Sequence, residues 1–377
     1  MKKLLFKKFL KDTLKFFIIM GLTVSIIVWV IQAVGYLDYM TEDGHSLYVY
    51  FSYSIFNYPK IIHRILPFIF FISLFYQISQ YELKNELIIF WTNGINKISF
   101  INVVILYSII ITLFQVFLGS FLSPIGQNEA RSYLRNSNID FFPSLVKEGK
   151  FIDIVTNLII FIESKDEFGN YKNIFLNDSI TGKGGPKSQM IFAKKGVLIS
   201  ENKNRYFQLS DGKILNTDYG KVTNIKFDKI DFNLAKYETS STTYPKIQET
   251  SSYTLLKCIY YFQKKRLNEF NDKYIKCEPR LINSLIQELL KRFFQPIYFP
   301  LIGLTCGLLI LKSKESINYN KFKFYLFSII FLIIVISEVS LRYSTYGKAS
   351  VLFFIFLPIL SFFIIYFSLI KKFSTKF

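Results

Sequence analysis

The chain has 377 residues, 51% of them hydrophobic, with 42 Phe, 25 Tyr and a mean hydropathy of +0.30. That is more apolar and aromatic surface than one soluble core uses, so the composition largely excludes a soluble enzyme and points to a polytopic membrane protein. A formal net charge of +19 is what a nucleic-acid partner would ask for, and its distribution along the chain decides whether that holds.

Six stretches are long and apolar enough to cross a hydrocarbon core of roughly 30 Å. They lie near residues 16–34, 62–80, 98–122, 294–311, 324–341 and 350–370. The first resembles a signal peptide only loosely: Ala33-Val34-Gly35 sits where a cleavage site would, but the apolar run is longer than an ordinary secretory one. Basic residues in the short connections set the orientation. Lys2, Lys3, Lys7, Lys8, Lys11 and Lys15 precede the first span, Lys84 and Lys97 flank the second connection, and Lys312, Lys314, Lys321 and Lys323 follow the fourth span. Lys371, Lys372 and Lys376 end the chain, which makes 15 on one side, against four (Lys60, Arg64, Arg342 and Lys348) on the other. Both termini are therefore expected in the cytoplasm and the long polar segment between spans three and four outside. That segment, 123–290, holds 25 basic and 19 acidic residues, so much of the net charge is topology signal and a nucleic-acid partner is not expected.

The external segment reads first as strands. Leu158–Glu163, Asn173–Leu176, Met190–Ala193, Arg205–Leu209 and Val222–Phe227 are short β-prone runs. Turn signals at Phe168-Gly169-Asn170, Gly182–Pro186 and Asp211-Gly212 separate them. A β-sandwich, jellyroll or open barrel would account for strands about 149–232. After them Tyr253–Phe270 and the stripe Leu281, Leu285, Leu289, Leu290 take helical spacing and lead back to the membrane. Cys258, Cys277 and Cys306 lack metal-ligand spacing, and His45 and His63 are the only histidines, so no metal site is expected. Cys258 and Cys277 are able to pair if they lie outside the cytoplasm, although a sparse, odd set of cysteines more often marks buried thiols.

No catalytic constellation emerges. Thr181–Ser188 superficially resembles a phosphate-binding loop, but Thr181 and Pro186 stand where the two glycines belong. The chain carries no nucleotide site of its own, and any ATP must be bound by another subunit. Residues 81–96, between spans two and three, have the pattern of a short amphipathic helix. Leu87, Phe90, Trp91 and Gly94 fall on one face with Leu83, and Glu82, Glu86 and Asn93 on the other, with Gly94 able to end it. Its polar face is acidic, which favours a basic protein groove over anionic lipid. Glu338 is the one acid well inside a span, spaced to pair with Arg342 one turn on; gating or head-group handling is the alternative.

Four features stand together in order and spacing: Asn85-Glu86-Leu87 with Gly94-Ile95; Gly149-Lys150-Phe151 with Leu158–Asp166 and Lys172–Asp178; Ile191–Gly196 with Leu209–Ile214; and Glu288, Arg292 and Pro296 at the start of the fourth span. Through them the chain resembles the lipopolysaccharide export permeases LptF and LptG over almost its entire length. Trp91, Ile89, Thr92 and Asn93 depart from the family's coupling-helix pattern, where Arg and small residues are common. The Gly149–Asp153 opening with Ile162–Asp166 looks more like LptF than LptG.

The resemblance implies a polytopic α-helical membrane protein, three spans plus three, with a periplasmic β-jellyroll inserted between the third and fourth. On that reading residues 1–124 hold spans one to three, 125–290 the jellyroll and its connecting helices, and 291–377 spans four to six. The protein would be a permease subunit of an inner-membrane ABC transporter. It would extract lipopolysaccharide and pass it to a periplasmic bridge, with an LptB-like ATPase dimer, an LptG-like second permease and an LptC-like periplasmic protein as partners. Glu82, Glu86, Leu87, Phe90, Trp91 and Gly94 would meet the ATPase. Lys60, Arg64, Glu338, Arg342 and Lys348 would handle head group or gate, and Phe16, Phe17, Ile26, Ile27, Phe331 and Ile334 would line the lipid cavity between spans one and five. The alternatives are the LptG-like partner itself and a membrane-anchored periplasmic binding or assembly protein that transports nothing.

Overall fold

The computed structural model describes residues 2–37, 46–136, 148–155, 158–166, 170–182, 185–201, 204–218, 221–233, 245–264, 266 and 277–374. The chain folds as two units: Met1–Gly35, Phe51–Tyr133 and Tyr244–Phe377 form one, and Tyr36–Tyr50 with Leu134–Thr243 the other.

The helices are α1 (Lys2–Gly35), α2 (Leu47–Phe56), α3 (Tyr58–Leu83), α4 (Glu86–Thr92), α5 (Lys97–Phe117), α6 (Ser123–Asn136), α7 (Ser252–Gln263), α8 (Ile282–Leu289), α9 (Tyr298–Gly307), α10 (Tyr319–Tyr343) and α11 (Lys348–Ser374). Among the described residues six helical segments are long and apolar enough to cross a membrane: Lys2–Gly35, Leu47–Leu83, Lys97–Arg135, Pro279–Leu311, Tyr319–Tyr343 and Ala349–Phe373. All six expected spans are there, each extended beyond its apolar stretch because a helix continues past the hydrocarbon while its polar turns stay solvated.

Spans three and four pack most closely, where Gly303 of α9 faces Ser108 of α5. A side chain at 303 would run into the Ser108 hydroxyl, which donates to the Val104 carbonyl at 2.8 Å. Small residues at helix crossings let backbones approach and gain dispersion contacts that lipid does not supply. Gly303→Val is therefore expected to destabilise by about 1–3 kcal/mol, read as a lower melting midpoint in detergent, with part recovered in Gly303→Val/Ser108→Gly. Equal midpoints for wild type and Gly303→Val would exclude this packing.

Both of these spans contain a widened π-helical turn, Leu118–Leu122 and Leu290–Phe294, and the two turns touch. Such turns free backbone groups from the helical ladder. At the first, Gly119 leaves room for the buried His63 ring of α3, whose carbonyl accepts from Gln115 at 2.9 Å.

The second unit carries six strands: β1 (Phe151–Val155), β2 (Leu158–Lys165), β3 (Tyr171–Gly182), β4 (Gly185–Glu201), β5 (Asn204–Asp218) and β6 (Lys221–Asn233). They form one antiparallel sheet in chain order, β1 to β6. This is a meander, and the crossover connection of a two-sheet jellyroll does not occur among the described strands. The expected short runs all lie inside these strands, which extend beyond them. The turn expected at Asp211-Gly212 is absent. Both residues lie within β5, with Asp211 at φ 56, a left-handed conformation Asp tolerates.

Side chains alternate across a regular strand, yet Tyr171 and Ile174 are both buried three residues apart, as are Ala193 and Gly196. The reason is a crease. Glu163, Asn173, Lys194, Asp211 and Asp228 stand opposite one another in turn, and the backbone pairing skips this row in every ladder from β2 to β6. Asn173 adopts φ 47 there, and its side chain donates to Glu163 instead. The core of this unit, including Ile160, Tyr171, Ile174, Leu176, Phe207 and Leu209, draws on strands from both sides of the crease. Burial pushes the Tyr171 phenol above its usual pKa. Gly196 lies between Tyr171 and Phe207, which meet edge to face at 5.5 Å across it. A side chain at 196 would strike Ile174 and Phe207. Gly196→Val should therefore cost about 1–3 kcal/mol, measurable as faster proteolysis of the β-unit; an unchanged proteolysis rate would refute the contact.

Candidate functional site

Three arrangements in the two units have functional geometry. The first is the hairpin between spans two and three. It is not one continuous helix from 81 to 96: α3 ends at Leu83, Asn85 turns left-handed at φ 58, and α4 runs only from Glu86 to Thr92. Gly94, at φ 68, ends it as the sequence anticipates. The apolar side faces its own chain. Leu87 and Phe90 are buried, and Phe90 packs on Phe6 at 5.6 Å and on Phe100 at 5.5 Å. Trp91 is half-buried against Phe100, with Lys97 over its ring. The acids are also engaged: Glu86 with Lys8 at 3.2 Å, and Glu82 with the Lys314 amide at 2.8 Å. The Gly94 carbonyl accepts from Lys2 at 3.0 Å, and Tyr81 donates to Asp12 at 2.7 Å. What remains exposed is Leu83, Lys84, Asn85, Ile88, Ile89 and Thr92, with Gly94 and Asn96 after the helix. The six residues singled out from sequence thus fasten the hairpin to α1, α5 and the connection before α10. The outward surface is the one sequence reasoning missed, because a seven-residue helix between two spans has two apolar environments and periodicity does not rank them.

The second arrangement is a basic cluster at the opposite end of α3. Lys60 is half-buried, within electrostatic range of Arg64, Lys291, Lys246 and Glu249. Glu249 is committed to Arg131 at 2.8 Å, which leaves the group cationic. Lys291, Lys246 and Arg131 come from distant parts of the chain and could not be joined to Lys60 from spacing alone. Next to them Arg292 is buried, pairs with Glu288 at 3.0 Å and donates to the carbonyls of Thr250 and Gln248 and to Ser252 Oγ. Ser252 in turn donates to the Ser120 carbonyl at 3.0 Å, in the first π-turn. Glu338 does not pair with Arg342 but accepts from Gln295 at 2.7 Å, joining spans four and five, and it is exposed on the helix. The crossing of α10 and the start of the fourth span brings the Gln295 amide within reach, while the neighbouring Arg342 stays exposed. Lys348 begins α11; its side chain lies outside the described residues. Of the residues expected to line a lipid cavity, Phe17 and Ile334 are buried, Phe16 stacks on Tyr76 at 4.5 Å, and Ile26, Ile27 and Phe331 are exposed.

The third arrangement lies within the β-unit. One transverse row of the sheet reads Phe151, Phe161, Phe175, Phe192, Lys213, Lys226 from β1 to β6. The rings of Phe151 and Phe161 are 4.7 Å apart, those of Phe175 and Phe192 4.9 Å, and Lys213 Nζ sits 5.2 Å over Phe192. This row and the crease line a cavity of about 900 Å³. An aromatic floor ending in two ammonium groups suits a molecule with apolar chains and an anionic head. The row is invisible in sequence because it depends on five registers at once.

No group of His, Cys, Asp and Glu among the described residues could hold a metal ion. A family model described as lipopolysaccharide export system permease LptF/LptG matches residues 7–372. An uncharacterized protein of Rickettsia prowazekii (strain Madrid E), RP871, is 25% identical over 320 residues, covering 83% of this chain and 84% of that one. With six apolar helices, an antiparallel sheet inserted between the third and fourth, and a match over nearly its whole length, the chain belongs to the lipopolysaccharide export permease family LptF/LptG, as a multi-pass inner-membrane protein.

Proposed function

We propose that this chain is the LptF-like permease half of a transporter that extracts lipopolysaccharide from the inner membrane. A separate LptB-like ATPase dimer drives it, beside an LptG-like permease and an LptC-like periplasmic partner. Both termini lie in the cytoplasm, and the β-unit, an antiparallel meander, lies in the periplasm, where it receives the lipid. Three features support this reading: the lysine-rich connections, the Phe and Lys row of the sheet, and the cationic group around Lys60. A pairing between Cys258 and Cys277 also fits a non-cytoplasmic position for α7.

The observation that carries the proposal is the outward face of α4. Ile88 and Ile89 are about half exposed on a helix whose other sides are fixed to α1, α3 and α5. A rigid apolar knob between two spans is what an ATPase groove needs in order to move them together. The test is coexpression with the ATPase and the second permease. Ile88→Asp/Ile89→Asp is expected to reduce ATPase copurification at least tenfold, since each buried Ile contributes about 1.5–3 kcal/mol. Glu86→Ala should change it by less than about threefold, because an exposed ion pair with Lys8 is worth at most roughly 1 kcal/mol. If no ATPase copurifies with the unaltered chain, the export reading fails and a membrane-anchored binding protein takes its place.

A further inference from the structure

The N-terminal part of α1 holds six lysines, and the fold uses them in two ways. Lys2 and Lys8 bind within the chain, to the Gly94 carbonyl and to Glu86. Lys3, Lys7, Lys11 and Lys15 are exposed, and none makes a hydrogen bond or ion pair with a described residue. They follow one another four residues apart and so form one ridge of the helix. This ridge lies away from Phe9, Thr13 and Phe17, which are buried. It continues up the span as Ile19, Thr23, Ile27 and Ile31, all exposed.

Like charges four residues apart repel and weaken a helix unless an anion lies along them. A ridge that is apolar through the span and turns to lysine below it has the chemistry of a bilayer read from acyl chains to head groups. We propose that Lys3, Lys7, Lys11 and Lys15 form a docking ridge for anionic phospholipid head groups of the leaflet at the N-terminal end of α1. Twenty residues ending at Gly35 span roughly 30 Å, which puts Lys15 at the edge of the hydrocarbon and Lys11, Lys7 and Lys3 roughly 6, 12 and 18 Å beyond the level of Lys15. Charges are screened within about 8 Å, so the grip is graded, strongest at Lys15 and Lys11. Because α1 also holds α4, through Phe6 and Lys8, the ridge sets the height of that hairpin against the bilayer. The inference does not depend on what the permease exports.

The test is native mass spectrometry of the full chain in detergent, titrated with phosphatidylglycerol and, separately, with phosphatidylcholine. Lys7→Gln/Lys11→Gln/Lys15→Gln is expected to lose at least about tenfold in phosphatidylglycerol affinity, given roughly fivefold per lysine near an anionic surface. The matching Arg variant should keep its affinity. Control variant Lys84→Gln/Lys321→Gln/Lys323→Gln removes the same charge elsewhere on that end of the protein and should change affinity by less than about threefold. Single variants should rank Lys15→Gln above Lys3→Gln in effect, and these carry the test if the triple variant does not remain monodisperse. Equal losses in ridge and control variants would overturn the proposal, as would equal effects of Lys3→Gln and Lys15→Gln, which is the pattern of a flat acidic protein surface. Unchanged affinity in the ridge variant would overturn it as well.

Discussion

Arg292→Ala is expected to remove a large part of the stability of the helical unit. The side chain is 1% exposed, and its guanidinium holds Glu288 together with Thr250, Ser252 and Gln248. Breaking one partner of a buried ion pair costs about 3–5 kcal/mol because the other charge stays uncompensated. Two backbone carbonyls lose a donor as well. Against a total of roughly 5–15 kcal/mol, the variant should give little monodisperse protein, with a melting midpoint many degrees lower. Arg292→Lys should recover little, since one ammonium cannot span acceptors that the planar fork reaches together. Arg292→Met/Glu288→Leu should do better than either single change, because it removes the stranded charge. A midpoint for Arg292→Ala within a degree or so of wild type would rule out this network as a stabilising element.

The second large effect concerns Cys258 and Cys277, which are joined in a disulfide with Cα atoms 5.8 Å apart. Cys258 is fully buried among Leu255, Ile282, Leu285 and Leu289, so the bridge ties α7 to the approach to α8 inside a small apolar cluster. With the two cysteines 19 positions apart in sequence, loss of the crosslink in Cys258→Ser/Cys277→Ser should cost about 3 kcal/mol, with a further penalty for a buried hydroxyl. The thiol count checks it directly. Denatured but unreduced protein should expose one reactive thiol, that of Cys306, and reduced protein all three. Three thiols without reductant would exclude the bridge. Buried free thiols were the more natural reading of three scattered cysteines, and only the folding of α7 against α8 brings these two together.

The spans were legible because hydropathy over twenty residues is a strong, local signal. The strands were legible over part of their length, where Leu158–Ile162 and Arg205–Leu209 carry β-branched and aromatic residues. Their lengths were not, because Asp211-Gly212 looks like a turn and instead lies inside β5, with Asp211 at the crease. Candidate site residues were legible as chemistry but not as contacts. Glu86, Leu87 and Phe90 had the right amphipathic spacing, yet their partners Lys8, Phe6 and Phe100 lie on two other helices. Lys60 and Arg64 were recognisable from one loop, whereas Lys291 and Lys246 reach them only through the chain's return from the β-unit.

The crease also constrains how this sheet can change over time. Because Glu163, Asn173, Lys194, Asp211 and Asp228 fall in line, a one-residue deletion in a single strand would shift that strand against two neighbours and turn its core residues outward beyond the gap. Deleting Asn173 would move Ile174 out of register with Ala193 and into the row opposite Lys194, and strand the Glu163 carboxylate. Length changes in this domain should therefore accumulate at hairpin ends such as 183–184 and 202–203 and spare the middle of the strands. The five positions of the row should be inherited together, as one heritable joint.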